Sequence, residues 1–366
     1  MKIAILLNLP LCRHLIHDTI TVKFAWHLAR QGHRVDLYYS GHETDEGIHA
    51  YYGLQALPTL RFIACARLKI TRPVKLSSAR VTQTHMAWQL LAQHRKVPYD
   101  LFFTNDASLL FFRHIAARLG VPMVYEAHDT LPAIPRGLAL ILTTTEALRD
   151  RYLAMGTDPN SVRTLPLAPN TPRFCALKQF DSYDTRHLIY AGKLHPHRGV
   201  DTLIEALSRL PEDFRLTLYG GNASEVARYG TLLRQKGIHH RVTLAGFVPP
   251  SELEELLASQ TGIHVVPPLD LPRYRTIAHT KISDALGRGR LLVASDLPPI
   301  REIADGVAEL FRPGDATALK DAVLTLAGST PEAIARRHRA MEARYHQLSY
   351  PERAARFFQM LSEASS

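Results

Sequence analysis

The strongest constraint in this sequence is an alternation that runs twice: short apolar stretches followed by helix-patterned ones. Residues 3–7 are apolar throughout and have the length of a buried parallel strand. Ile20, Phe24 and Leu28 then recur at helical spacing, and Gly32 follows as a natural stop. Residues 35–39, 101–104, 123–127 and 138–144 read as further strands. Around residues 166–186 the pattern breaks at a stretch containing Pro166, Pro169 and Pro172. It restarts with strand signals at 187–191 and 215–219 around a helix at 200–210, then strands at 242–245, 263–266 and 291–294. Ser251 and Glu254 match a capping box opening the helix before the strand at 263–266. From about Pro331 the chain is helical, rich in Arg, Glu and Ala, without strand signals. At 366 residues it also exceeds what one core ordinarily supports. The expected fold is α/β: two Rossmann-like doubly wound domains facing across a cleft, over 1–170 and 171–345, followed by a C-terminal helical segment, 346–366. Ligands of such sheets bind at the C-terminal ends of the strands.

Two segments there carry chemistry. After the strand at 187–191, Gly192-Lys193-Leu-His-Pro-His-Arg198-Gly199 forms a polar turn with two cations before a helix. Glycines let backbone approach a ligand, and a helix N-terminus favours anions, so Lys193 and Arg198 can neutralise a diphosphate. Two basic residues in a turn are, by themselves, usually solvated surface. The second segment is His279-Thr280-Lys281-Ile-Ser-Asp284. Lys281 and Asp284 are one helical turn apart and share a face, where a carboxylate can accept from both hydroxyls of a ribose. The plain alternative is an exposed Lys–Asp pair of little consequence.

With these residues in view, the chain resembles the family-4 retaining glycosyltransferases, whose fold is GT-B. Gly192, Lys193, Arg198 and Gly199 match the segment that grips the donor diphosphate; Leu218-Tyr-Gly220-Gly221 matches a glycine-rich turn after a strand. Val242-Thr-Leu-Ala-Gly246-Phe247-Val248 resembles the strand and turn whose backbone faces the nucleobase. The run from Thr280 to Pro298 resembles the family's ribose-binding segment, which places Asp284 on the ribose and backbone N–H groups of Ala278, His279 and Thr280 near the diphosphate. Residues 187–325 carry the specific resemblance; the N-terminal half is looser, with Val124-Tyr-Glu-Ala-His128-Asp129 ending a strand as the family's central histidine does. The resemblance implies that the final helix crosses back onto the N-terminal domain. It gives His128 a donor-sugar hydroxyl or the acceptor to orient, and His17 and Asp18 a place at the acceptor. Two positions depart from the family pattern. Thr276 stands where an acidic residue often precedes the ribose-binding one by eight positions, leaving Asp270 as a candidate substitute, and Asn8-Leu-Pro10-Leu replaces a Gly-Gly pair.

The implied reaction keeps the sugar's configuration, with the leaving diphosphate assisting the incoming hydroxyl on the same face. The enzyme's task is then to stabilise charge on the leaving group. No cofactor or metal is expected: the co-substrate is a UDP- or GDP-linked sugar, and no Asp-x-Asp pair occurs. The net charge of +10 is uneven, with no acidic residue between Glu46 and Asp100. That interval holds Arg61, Arg67, Lys69, Arg72, Lys75, Arg80, Arg95 and Lys96, a field suited to an anionic membrane or a polyprenyl-diphosphate-linked glycan acceptor as well as to simple solvation. No nucleic-acid motif accompanies it. Cys12, Cys65 and Cys175 are too widely spaced for a disulfide framework or a metal site. The apolar N-terminal run is too short and too interrupted for a signal peptide. Together these suggest a cytoplasmic enzyme, at the inner face of the plasma membrane, serving polysaccharide or glycolipid synthesis. The alternatives are a catalytically silent sugar- or lipid-binding scaffold and a nucleotide-sugar epimerase. A nicotinamide oxidoreductase is excluded, because no glycine precedes Gly32 to form the dinucleotide fingerprint.

Overall fold

In the computed structural model, which describes residues 1–13, 16–65, 78–171, 173–177 and 180–364, the first half of the chain builds one parallel sheet. Its elements are β1 (Lys2–Leu7), α1 (Ile16–Arg30), β2 (Arg34–Tyr39), α2 (Asp45–Tyr52), β3 (Leu60–Ala64), α3 (Ser78–Lys96), β4 (Leu101–Thr104), α4 (Phe112–Leu119), β5 (Met123–Ala127), β6 (Leu140–Thr143), α5 (Glu146–Ala154) and β7 (Val162–Thr164). The strand order is β3-β2-β1-β4-β5-β6-β7, so the winding direction reverses between β1 and β4. All six residues of β1 are buried, because helices cover both faces of a parallel sheet.

A second sheet repeats the plan. It contains β8 (His187–Ala191), α6 (Val200–Ser208), β9 (Arg215–Tyr219), α7 (Ala223–Gln235), β10 (Val242–Gly246), α8 (Pro250–Ser259), β11 (Ile263–Val266), α9 (Thr280–Gly287), β12 (Leu292–Ser295), α10 (Pro298–Ala304), β13 (Glu309–Phe311), α11 (Ala316–Ala327) and α12 (Pro331–Leu348). The order β10-β9-β8-β11-β12-β13 reverses between β8 and β11. Both sheets thus have a doubly wound topology and a switch point where ligands bind.

The last helix, α13 (Tyr350–Ala364), belongs with the first sheet: one unit is Met1–Ala168 with Tyr350–Ser366, the other Pro169–Ser349. It docks through Tyr350, Ala354, Phe357 and Leu361, with Phe357 edge-on to Phe24 at 5.4 Å.

The structure adds β3, β7 and β13, which the apolar pattern does not mark. β3 is an edge strand with alternating burial, and the other two have three residues each, too few to show a period. It also corrects one helix start. α8 opens at Pro250 with Pro249 at the cap position, so Ser251 lies inside the first turn. Proline fits there because it has no N–H to satisfy. A complete capping box stands instead at α7, where Asn222 accepts from the Glu225 N–H and the Glu225 side chain accepts from the Asn222 N–H. Of the basic interval, Arg67, Lys69, Arg72 and Lys75 lie outside the described residues. Arg61 is not a free cation: it makes two 2.7 Å bonds to the buried Asp36 carboxylate. Arg80, Arg95 and Lys96 are exposed, as is Trp88 on the same helix.

Candidate functional site

At the switch point of the second sheet, the loops after β8, β9 and β10 are stitched edge to edge. Gly192 N–H donates to Tyr219 O at 2.8 Å, and Gly220 N–H donates to Gly246 O at 2.6 Å. Gly220 has φ +114, and a Cβ there would sit 2.8 Å from the Gly192 carbonyl carbon, so only glycine permits this approach. Gly221, with φ +86, packs instead on the Leu194 side chain. Between β8 and α6 a short 3-10 turn, Pro196–Arg198, ends at Gly199, which lies against the Pro267 carbonyl just beyond β11.

Arg198 closes this turn, and Lys193 precedes it in the same β8–α6 loop. Lys193 is exposed, and its carbonyl accepts from Tyr190 Oη at 2.7 Å. Arg198 is half-buried, its guanidinium 5.2 Å from the Tyr274 ring centroid. Neither forms an ion pair among the described residues. Two such cations on one loop make a local positive field.

Helix α9 supplies the other wall. His279 stands at its N-cap without a capping side-chain bond, and Ile282 N–H donates to His279 O at 2.9 Å, which leaves the Thr280 and Lys281 N–H groups to meet an acceptor. His279 Nε2 faces Tyr274 O at 3.0 Å; burial lowers its pKa, the bond to Tyr274 opposes the shift, and the Arg198 charge adds to it. Lys281 folds back under β8: its ammonium donates to Ala191 O, and a Cβ on Gly192 would lie 2.5 Å from it. Loss of hydration pulls its pKa down to about 8; Asp284 opposes the shift and Arg198 adds to it. The folded chain therefore holds this proton less tightly than the unfolded chain, which binds more protons between pH 8 and 10.5. Relative to Lys281→Met, the wild-type protein is expected to gain stability as pH rises through that window. Urea denaturation of both proteins at pH 7.5, 8.5 and 9.5 checks this; a constant difference would refute it.

Asp284 Oδ1 accepts from Asn170 N–H at 2.9 Å and interacts with the Lys281 charge. Phe247 is 64 % exposed beyond β10, while Val248 packs toward Leu257 and Ile189. The structure thus gathers Gly192, Gly220, Gly221, Arg198, His279 and Lys281 into one connected set. Asp270 does not join it: Arg275 clasps its carboxylate with two 2.5 Å bonds. Thr276 donates to Arg273 O at 3.1 Å.

In the first unit, a cleft of about 270 Å³ opens at the switch between β1 and β4, lined by residues including Leu9, His17, Asp106, Tyr125, His128 and Asp129. The His17 and His128 rings stand 4.7 Å apart. Asp18 is absent from this lining. Its fully buried carboxylate accepts from Tyr52 Oη at 2.9 Å and from the Arg13 and Thr19 N–H groups, bonds that brace the loop before α1. Burial raises its pKa and these bonds oppose the rise. Beneath His128 lies a feature sequence reasoning passed over. Glu126 Oε1 meets His128 Nε2 at 2.7 Å, and Glu126 Oε2 accepts from Arg353 of α13. Only the Glu126-x-His128 spacing, two residues apart on one strand end, hinted at the first contact; nothing local pointed to Arg353. Among the described residues, no cluster of His, Cys, Asp or Glu is placed to hold a metal ion, and no helix is long and apolar enough to cross a membrane.

Residues 185–329 match the family profile of the glycosyl transferases group 1, and residues 18–171 that of glycosyltransferase family 4. No curated protein matches the chain. Among solved structures, Anabaena HepE in complex with UDP aligns with a TM-score of 0.74 at 15 % identity, covering 99 % of this chain and 100 % of that one. A glycosyltransferase from Rickettsia africae aligns at TM-score 0.73 and 14 % identity over 100 % and 99 %. The lipopolysaccharide outer core galactosyltransferase WaaB aligns at TM-score 0.69 and 12 % identity over 99 % of both chains. With both halves matched in order and two doubly wound domains of the GT-B fold, the chain belongs to the group 1, family 4 glycosyltransferases.

Proposed function

We propose that this glycosyltransferase is a retaining, metal-independent enzyme that moves a sugar from a UDP- or GDP-linked donor to a glycan or polyprenyl-diphosphate-linked acceptor in cell-surface polysaccharide or glycolipid synthesis. The observation that carries the reading is the cation pair Lys193 and Arg198 on one loop at a switch point, without ion pairs among the described residues, with Arg198 near the N-terminus of α9 through Tyr274 and His279. In this reading, the two cations and the N–H groups around Ala278, His279 and Thr280 take up the charge of the departing diphosphate. Gly192, Gly220 and Gly221 let backbone approach it, Lys281 braces the loop, and Asp284 accepts from the ribose hydroxyls. Backbone around Phe247 and Val248 faces the base. His128 meets a sugar hydroxyl or orients the acceptor, with His17 beside it.

The UDP bound to Anabaena HepE, which is also known with UDP-glucose, favours the uridine donor. Arg80, Arg95, Lys96 and the exposed Trp88 on α3 support a peripheral place on an anionic membrane at the cytoplasmic face, since a basic helix with an outward tryptophan suits that interface. Titration calorimetry with UDP, GDP, ADP and dTDP tests the core of the proposal. Saturable binding of UDP or GDP is expected, with ADP and dTDP weaker; absence of binding by all four would overturn it.

A further inference from the structure

We infer that Arg353, one turn into the C-terminal helix, acts through Glu126 to fix the tautomer of His128, so that Nδ1 faces the cleft as a hydrogen-bond acceptor for a substrate hydroxyl. Arg353 is a positioning residue, 227 positions from Glu126 in sequence and in contact with it only through the fold. The inference rests on His128 meeting the substrate, but its test needs none.

Three side chains stand in a row. The Arg353 and Glu126 side chains are each 1 % exposed, and that of His128 13 %. An ionised carboxylate only accepts, so the 2.7 Å contact puts a proton on His128 Nε2. Burial alone would push the Glu126 pKa up, yet Arg353 and His128 together hold it below the usual carboxylate range. The guanidinium already pairs with that carboxylate, so the contact asks one N–H of the imidazole, which the Nε2–H tautomer supplies. Nδ1 is then the unprotonated nitrogen, and it has no partner among the described residues. The other ionisable groups along the cleft are His17, Asp106, Tyr125 and Asp129.

A second observation is the expense of Arg353 itself. Its Nε and Nη1 atoms are buried without partners, and the guanidinium lies 4.9 Å from the Phe24 ring centroid. Tyr350, Ala354, Phe357 and Leu361 already dock α13 through apolar contact. A leucine or methionine at 353 would fill the volume without unpartnered polar atoms of its own, so packing alone gives no reason for the charge. The carboxylate beneath His128 does.

Long-range proton–nitrogen NMR of the full chain labelled with 15N-histidine, at pH 8, reads the tautomer directly; His128→Ala assigns the signal. The wild-type protein is expected to show His128 as the neutral Nε2–H form. Arg353→Met should convert it to the doubly protonated form, because the imidazole must then neutralise Glu126, and Arg353→Lys should restore the wild-type signature. An Nδ1–H tautomer in the wild-type protein, or an unchanged His128 signal in Arg353→Met, would overturn the inference. Should Arg353→Met fail to fold, the double variant Glu126→Leu/Arg353→Met leaves no buried charge unpaired. It is expected to show mixed tautomers, and a pure Nε2–H form would equally overturn the inference. Failure of nucleotide binding would sink the proposed function while leaving this tautomer result standing.

Discussion

Reversing both turn cations, as Lys193→Glu with Arg198→Glu, is expected to weaken UDP binding about a thousandfold in titration calorimetry at low salt. A hydrogen bond to a charged group contributes roughly 1.5–3 kcal/mol, and two such contacts correspond to roughly two to four decades of affinity at about 1.4 kcal/mol per decade. Carboxylates put repulsion where attraction stood, which favours the larger end. Neither side chain forms an ion pair among the described residues, and Lys193 is exposed. The fold should therefore tolerate the change, and thermal melting should show little shift. The single variants separate the two contributions. Arg198→Gln should cost more than Lys193→Gln, because the half-buried guanidinium is braced over Tyr274 and enters the complex pre-oriented, whereas a free lysine must be ordered on binding. Binding of UDP by the double variant at wild-type affinity would place the diphosphate somewhere other than the β8 turn.

The elements that sequence reasoning could read are those whose physics is local. β1 and β8 are runs of apolar residues because helices cover both sheet faces; the glycines at 199 and 220 announce backbone that passes close to other backbone, and those at 192 and 221 backbone that passes close to side chains. The donor-side segment was legible for the same reason: its cations, glycines and helix start are neighbours in sequence. The orientation of Asp18 was illegible because an acid at a helix start looks the same whether it faces outward or turns inward; it turns inward, where Tyr52, from α2, donates to it. Asp270 was equally open until Arg275 closed on it. The Arg353–Glu126 pair was invisible, since an arginine in a helix rich in charge carries no signal of the partner it meets across the fold. β13 escaped because a three-residue strand is stabilised by its neighbour β12, with too little pattern of its own. What remained illegible is tertiary: the choice of partner for each polar side chain.

Gly199→Ala is expected to destabilise the protein by about 2–5 kcal/mol, combining left-handed backbone strain of roughly 1–2 kcal/mol with forced overpacking of roughly 1–3 kcal/mol. Gly199 has φ +73, and a Cβ there would overlap the Pro267 carbonyl oxygen and lie 2.8 Å from its carbon. Backbone atoms cannot swing aside as a flexible side chain can. Either the turn carrying Arg198 lifts or the segment after β11 retreats, and Leu269 N–H, which donates to His197 O at 3.1 Å, is pulled with them. Nucleotide affinity should fall along with stability, although Gly199 offers no side chain to a ligand. Gly237→Ala is the matched control: its φ is +69, but nothing lies within 4 Å of the added carbon. That variant should lose only the backbone strain, about 1 kcal/mol, and bind UDP as the wild-type protein does. Chemical denaturation and calorimetry on both variants separate the effects, since they share the conformational penalty and differ only in the close approach to Pro267. Equal losses in the two would mean that the contact at Gly199 relaxes freely, and that the β8 turn is not held in place by its fit against the chain beyond β11.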